Sequence, residues 1–422
     1  MIEPELRARR RFDWAFAAIA IVVALITFLK GFRMPNAWAA THFAFNYSQG
    51  FVRRGLVGEI ARQLGGDDVF QYNPFALVSF LVLLAIGVAL GFAVRQALKS
   101  DPSDHGFRAA VLAFAASPAM VFFVHSVGYF EDLAILLILP LILFGHKVRN
   151  RYAIFYIVLF LGLLFAFVHE VLVVMFGPVF VFAFVCHIVR DTRRDGFKPS
   201  RLAVLLVHAV MVTALIAVAS VIVSTVGSED AERIRALQRF LRQHADFPIR
   251  YESFEALGRS SHENLTKLMP WYWEMEGSRE LATRTWIAYL PAFVFFLYYG
   301  VWAISRPQLP RPLTWLFASL YVGVTISAHF LNLVGWDWNR WNAITLFAGL
   351  LSLLFFKRYF SSRVGLRTPT HVWALGAIAA ALGLAGDYQL NDGFKVQFYP
   401  FKKQFDTVER LIEKDFKYRP RR

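Results

Sequence analysis

Long apolar runs separated by short charged clusters dominate this chain, at about 13–31, 73–94, 109–126, 130–146, 152–189, 202–226, 286–305, 312–333, 343–356 and 371–386. A helix needs roughly 20 apolar residues to cross about 30 Å of hydrocarbon. A membrane β-barrel would instead show alternation over about ten residues, so the runs predict helices. Residues 152–189 are too long for one crossing, since a single helix of that length would extend roughly 57 Å. They divide at His169-Glu170, although the nearest Gly-Pro pair, Gly177-Pro178, lies eight residues further on. The pattern therefore predicts an all-α integral membrane protein with about eleven transmembrane helices.

Composition agrees, with 57% hydrophobic and only 18% charged residues and a mean hydropathy of +0.46. The net charge of +15 invites a nucleic-acid partner, but its distribution argues against one. Of the 45 Lys and Arg, 21 fall in the segments that alternate to the cytoplasmic side, beginning with Arg7, Arg9, Arg10 and Arg11 before the first run. By the positive-inside rule the N-terminus is inside and the C-terminus outside. The predicted location is a bacterial inner membrane, crossed many times. Residues 14–29 are long for a signal-peptide core and are read as a retained first span. Cys186 is the sole cysteine and forms no internal disulfide.

The expected organisation is a membrane region 1–226 with a first outer loop at 32–72, then an outer helical loop 227–285. A second membrane region, 286–386, and an outer polar tail, 387–422, complete it. The long loop has nine Lys/Arg, ten Asp/Glu and Leu237, Phe240 and Leu241 at helical spacing, so it is expected to lie on the membrane as a solvated helical insert. No internal repeat is evident.

Candidate chemistry gathers on the outer side. In the first outer loop, `YSQGFVRRGLVGEIARQL` carries Arg53, Arg54 and Arg62 where topology does not call for positive charge. Phe51, Leu56, Val57, Ile60 and Leu64 predict an amphipathic helix over 51–64, with guanidiniums at headgroup level to hold a phosphate. Simple contact with anionic lipid headgroups is the plain alternative. Glu131 and Asp132 open the fourth span, where acids also favour a helix dipole. Glu170, beside His169 and flanked by apolar residues, costs roughly 2–3 kcal/mol or more if it faces lipid, and so should face a cavity or a partner. Asp337, Asn339 and Arg340 stand among Trp336, Trp338 and Trp341, a cradle suited to a sugar or phosphate. His329, Asn332, Trp271, Tyr272 and Trp273 could extend that surface or serve as interfacial anchors. No P-loop, HExxH, paired CxxC or DxD is present.

In layout the chain resembles the polytopic glycosyltransferases of the GT-C class and the related bacterial polysaccharide polymerases. The resemblance lies in an inner N-terminus, a charged first outer loop with an amphipathic helix, many spans and one long outer loop. It implies a polyprenyl-linked sugar donor, a glycan or lipid acceptor, contact with membrane lipids and a place in an envelope biosynthesis complex. It also implies an acidic catalytic residue in the first outer loop. Glu59, directly after `RRGLVG`, fits that role better than Asp67 or Asp68.

Under that reading Arg53, Arg54 and Arg340 would hold the donor phosphate, and Glu59, Asp132 or Glu170 would be the general base. Glu131, His169, Asp337, Trp338 and Asn339 would bind substrate. A divalent cation is left open as cofactor, because the DxD-like pair is missing. The alternative is a transporter or flippase of a lipid or anionic solute, which requires polar residues through to the inner face. Spans 2 and 10 offer hardly any. A third possibility is a non-catalytic member of an envelope assembly.

Overall fold

The computed structural model describes residues 2–100, 104–150, 152–194, 198–226, 230–259, 261–306, 309–333, 335, 337–360, 368–386, 388–390 and 395–396. In order the helices are α1 Ile2–Gly31, α2 Ala37–Ala44, α3 Leu56–Gly65, α4 Tyr72–Lys99, α5 His105–Ala116 and α6 Pro118–His125. They continue as α7 Phe130–Phe144, α8 Ala153–Val168, α9 Glu170–Arg194, α10 Pro199–Val226, α11 Ala231–His244 and α12 Tyr251–Gly258. The last six are α13 Ser261–Glu263, α14 Met269–Glu274, α15 Ser278–Ile304, α16 Arg311–Ser327, α17 Trp338–Phe360 and α18 Thr370–Ala385. Two strands of two residues, β1 Tyr388–Gln389 and β2 Lys395–Val396, pair antiparallel. The rest of the expected polar tail lies outside the described residues.

Seven of the described helices are long and apolar enough to cross a membrane, and the pair α5–α6 makes an eighth if its bend is counted as one span. The chain is an all-α protein of the multi-pass membrane type. The three other expected spans correspond to α7, α8 and α18, of 15, 16 and 16 residues. At about 1.5 Å per residue these are roughly 23–24 Å long, short of the hydrocarbon thickness. The expected straight span at 109–126 is instead broken by 44° where Ser117 meets Pro118. Pro118 opens α6 because a proline is tolerated in a first helical turn but not in a helix interior.

The chain divides into two compact units. One comprises the described residues of 1–32, 87–125 and 272–396, the other those of 33–86 and 126–271.

In the second unit α8, α9 and α10 pack together, and Gly162 on α8 lets the Ile216 side chain of α10 approach closely. The 152–189 run breaks at His169, which is extended at φ −167°, ψ 112°. Gly177 and Pro178 remain inside α9. No glycine is needed at the break because the backbone is satisfied locally. His169 N donates to Phe165 O at 2.8 Å, Leu172 N donates to His169 O at 2.9 Å, and His169 Nδ1 accepts from Val171 N at 3.3 Å. The imidazole thus acts as an N-cap for α9, and Glu170 occupies the first turn, where a helix dipole favours an anion.

The two expected outer loops fold on each other in this unit. Ile234, Leu237 and Leu241 of α11 and Phe254 and Leu257 of α12 share one core with Ala40, Ala44, Phe45, Val52, Phe70 and Tyr72. Hydrogen bonds stitch the two segments, from Tyr72 N to Asp246 Oδ1 at 2.7 Å, Arg250 N to Thr41 Oγ1 at 3.1 Å and Arg233 Nη1 to Phe51 O at 2.8 Å. The expected helical insert is thus packed, over α11 and α12, on the first outer loop. The apolar face of α11 is covered by protein, so it does not face lipid.

In the first unit α17 is buried along most of its length and packs against α6, α15 and α16. Its last turn carries Lys357, which is bonded to Asp104, and Tyr299 donates to the same carboxylate at 3.2 Å. Arg108 pairs with Asp13 at 2.6 Å. Each buried charge in these pairs has an opposite partner, as a low-dielectric interior demands.

Candidate functional site

The expected amphipathic helix of the first outer loop is present but starts later, as α3. Its buried glycine, Gly58, sits where a Cβ would meet Phe45 O at 2.2 Å. The helix therefore docks directly on the backbone of 43–45. Phe51 to Gly55 form the turn before it, and Arg54 there is the one non-glycine residue with positive φ among the described residues, at 64°. A left-handed arginine is strained by roughly 1–3 kcal/mol and persists only where the surroundings impose it.

That turn aims both arginines inward. Arg53 and Arg54 are 5% and 9% exposed, so they do not stand at headgroup level as expected from sequence. Arg53 Nε donates to Leu257 O at 2.7 Å, and Nη2 donates to Ala256 O at 2.5 Å and Arg259 O at 2.8 Å. These carbonyls end α12, so Arg53 satisfies a helix C-terminus while clasping the two outer segments. Its Nη1 reaches Glu170 Oε1 at 3.2 Å. Arg54 grips the same carboxylate with both arms, Nε to Oε2 at 3.3 Å and Nη2 to Oε1 at 2.8 Å. His169 Nδ1 lies 3.5 Å from Glu170 Oε2.

The charge balance of this cluster matters. Two guanidiniums share one carboxylate, and no second acid pairs with either arginine among the described residues. Burial, then the like charge of Arg54, pulls the Arg53 guanidinium down to about 10, against the opposing pull of Glu170. It stays charged at neutral pH, leaving one buried positive charge in excess. Arg53 uses most of its donors on backbone carbonyls, whereas Arg54 spends Nε and Nη2 on Glu170. An anion is the natural complement.

Glu131 and Asp132 belong to the same unit and are each 1% exposed. The ring of Phe130, just before them, meets His169 edge-on at 5.8 Å, stacks on Phe43 at 4.7 Å and touches His42 at 6.4 Å. The start of α7 is thus one aromatic ring away from the His169-Glu170 break. Neither oxygen of Asp132 has a hydrogen-bond partner among the described residues. A buried carboxylate in that condition is costly.

Glu59 is placed differently. Its Oε2 accepts from Arg62 Nε at 3.0 Å and Tyr47 N at 3.0 Å, and its Oε1 accepts from Arg62 Nη2 at 2.8 Å and Gln63 Nε2 at 2.6 Å. Hydrogen bonds from Arg62 first of all, then from Gln63 and the Tyr47 amide, hold it down to about 2. Both oxygens are engaged, and neither pairs with Arg53 or Arg54. Its geometry is that of a fastener between α3 and the preceding loop.

The cradle expected at Asp337–Arg340 lies in the other unit. Arg340 Nε pairs with Asp337 Oδ2 at 3.0 Å, and the guanidinium lies over Trp341 at 5.6 Å. Trp338 is 1% exposed and packs with Tyr272 and Trp273, each at 5.2 Å. It is a core residue of an aromatic trio, leaving Trp273 as the more open ring. Tyr289 donates to Asn339 O at 3.2 Å. Trp336 lies outside the described residues.

Comparison with known protein families, curated proteins and solved structures found no match for this chain. The chemistry is therefore read from the residues. Among the described residues, no group of three or more His, Cys, Asp or Glu side chains is placed to hold a metal ion.

Sequence reasoning missed His42 and Phe130, which connect α2, α7 and the His169 break. A histidine inside the apolar `AATHFAF` was the available signal. It also missed an apolar cavity of about 380 Å³ lined by Tyr47, Phe51, Leu56, Phe160, Leu163, Leu164 and Phe167. No sequence signal marks such a cavity, because single apolar residues on a membrane helix all look alike.

Proposed function

We propose that the protein is a GT-C-like glycosyltransferase or polysaccharide polymerase of a bacterial inner membrane. It transfers a sugar from a polyprenyl-phosphate-linked donor to a glycan or lipid acceptor at the outer face. The proposed topology has about eleven spans, the N-terminus inside and the C-terminus outside. The observation that carries the reading is the buried Arg54–Glu170 pair, with Arg53 adding an uncompensated positive charge.

In this mechanism Arg54 binds the donor phosphate and stabilises the charge that grows on the leaving group. Glu170 holds the guanidinium in its productive orientation. Asp132 takes the proton of the acceptor hydroxyl as that oxygen attacks the anomeric carbon and the bond to phosphate oxygen breaks. Glu59 drops out of the candidate bases, because its oxygens are already engaged.

The test is turnover by the purified full chain in nanodiscs, with decaprenyl-phosphate-linked radiolabelled sugars as donors and an isolated envelope glycan as acceptor. Arg54→Lys should lower kcat about 10²–10³-fold, and Asp132→Asn about 10²–10⁴-fold. Wild-type turnover in both variants would refute the assignment.

A second reading, transport of a lipid or anionic solute, gains support from one observation. Asn342, Thr345 and Ser352 of α17 are buried, with Asn342 Nδ2 and both hydroxyls lacking hydrogen-bond partners among the described residues. They extend polar character into a span expected to have hardly any. Proteoliposome flux without a covalent product would favour this reading.

A further inference from the structure

In the first unit the C-terminal ends of α4 and α17 meet. Arg358 Nη1 donates to Gln96 Oε1 at 3.3 Å, and the same guanidinium lies over the Phe92 ring at 4.9 Å. Both contacts are to neutral groups, so they fix where the charge sits without cancelling it. Arg95, beside Gln96, is close enough to act on Arg358 as a like charge. Lys99 follows Arg95 by about one helical turn, and both are exposed. Neither α4 from Gly87 onward nor α17 contains an Asp or Glu. Lys357, next to Arg358, is already paired with Asp104. Three cations from two helices thus share one place, although like charges at such spacing oppose each other. An anion set among them relieves that repulsion.

Their position selects the anion. α4 has 28 residues, so it extends about 42 Å against roughly 30 Å of hydrocarbon. With its apolar middle in the bilayer, its last turns emerge among the headgroups. The stretch that leads to Arg95 is exposed and apolar, with Gly87, Val88 and Gly91 on its surface and Val88 49% exposed. Gly87, Gly91, Arg95 and Lys99 recur every four residues and so follow one another along one side of the helix. No other described part of the protein comes within 4 Å of a Cβ placed on Gly87 or Gly91. The glycines therefore leave a shallow notch in a lipid-facing helix, directly in line with the cations. A free inorganic anion would use the charges but not the notch. A phosphodiester that carries acyl chains uses both.

We propose that Arg95, Lys99 and Arg358 bind the phosphodiester of an anionic phospholipid, with one acyl chain lying along Gly87 and Gly91. The two guanidiniums grip the phosphate oxygens, and Lys99 adds positive charge one turn further along α4. The site goes beyond the transferase reading. It lies in the first unit, has no residue in common with the Arg53–Arg54–Glu170 cluster, and takes a bilayer lipid that is not a sugar donor.

The experiment places the full chain in phosphatidylcholine nanodiscs doped with a phosphatidylglycerol whose acyl chain carries a diazirine near the ester. A matching phosphatidylcholine probe serves as the comparison, and labelled peptides are read by mass spectrometry after irradiation. Each cation near a membrane surface is worth roughly a five-fold preference for an anionic lipid. Peptides covering 87–99 should therefore take up the phosphatidylglycerol probe about tenfold or more over the phosphatidylcholine probe. Arg95→Gln combined with Lys99→Gln, both at exposed positions, should bring that ratio close to one, whereas Arg95→Lys alone should keep most of it. Gly91→Leu, which grows into open space, should cut phosphatidylglycerol labelling several-fold.

Equal labelling by the two probes in the wild type would overturn the proposal, since the contact would then be that of any surrounding lipid. A ratio unchanged in the double variant, or labelling unchanged in Gly91→Leu, would overturn it too. Loss of the preference on adding inorganic phosphate at the concentration of the probe would assign the cations to a free anion, against the proposal. A dimer counted by single-molecule photobleaching in the same nanodiscs, and split by Gly91→Leu, would give this face to a second copy of the chain and likewise end it.

Discussion

Replacing Glu170 by glutamine tests whether the two arginines are held by charge. The carboxylate accepts three guanidinium hydrogen bonds, at 3.2, 3.3 and 2.8 Å, and its side chain is 11% exposed. Glutamine keeps the shape but offers one acceptor oxygen, and it points an NH₂ at two donors. Two buried cations are then left without an anion. Removing one partner of a buried pair costs about 3–5 kcal/mol, and the three bonds to a charged acceptor imply a similar figure at roughly 1.5 kcal/mol each. We expect E170Q to be destabilised by about 3–5 kcal/mol in reversible unfolding of the purified protein in mixed micelles.

The companion variants decide the cause. Arg54→Gln in the E170Q background should recover about 1–3 kcal/mol, because a shared interaction makes the two changes non-additive. Inorganic pyrophosphate should stabilise E170Q more than wild type, since it binds cations that Glu170 otherwise covers. If E170Q unfolds within about 0.5 kcal/mol of wild type, the usual spread for a surface change, the pair does not order this region and the charge argument fails.

Four other outcomes follow from the geometry. Gly58→Ala should cost about 1–3 kcal/mol by overpacking, because a Cβ there meets backbone oxygens of Phe45 and Phe43 at 2.2 and 2.7 Å; unchanged unfolding would contradict the close docking of α3. Arg54→Gly should be more stable than Arg54→Ala by about 1 kcal/mol, since both lose the guanidinium but only glycine relaxes φ 64°; equal stabilities would show that the turn is unstrained. Glu59, held down to about 2 from an ordinary 4.5, contributes stability that is present above about pH 4.5 and is lost as pH falls toward 2. With Arg62 partly solvated the effect should stay within about 1 kcal/mol, and Glu59→Gln should flatten that part of the unfolding-versus-pH curve. Leu237→Asp should unfold the helical segments of 33–72 and 230–259 together, seen as joint loss of protease protection, because Leu237 is fully buried in their common core; loss confined to 230–259 would mean the two segments are independent.

Hydrophobic runs and basic clusters by themselves determine that the chain is helical and built for a bilayer, because lipid forces every backbone group to bond within its own segment. They also place a break at His169-Glu170, since 38 apolar residues exceed one crossing. The oddity of Arg53, Arg54 and Glu170 was visible in the same way, as charge where neither lipid nor topology favours it. Their union was not, because 116 and 117 residues separate the partners and nothing in either segment names the other. Only the tertiary structure turned Arg53 into a clasp on α12, tied Glu59 to its neighbour Arg62 and buried the face of α11 against the first outer loop. Local periodicity reports which residues share a face. What covers that face depends on contacts between distant segments, and the energy of burying a charge is decided there.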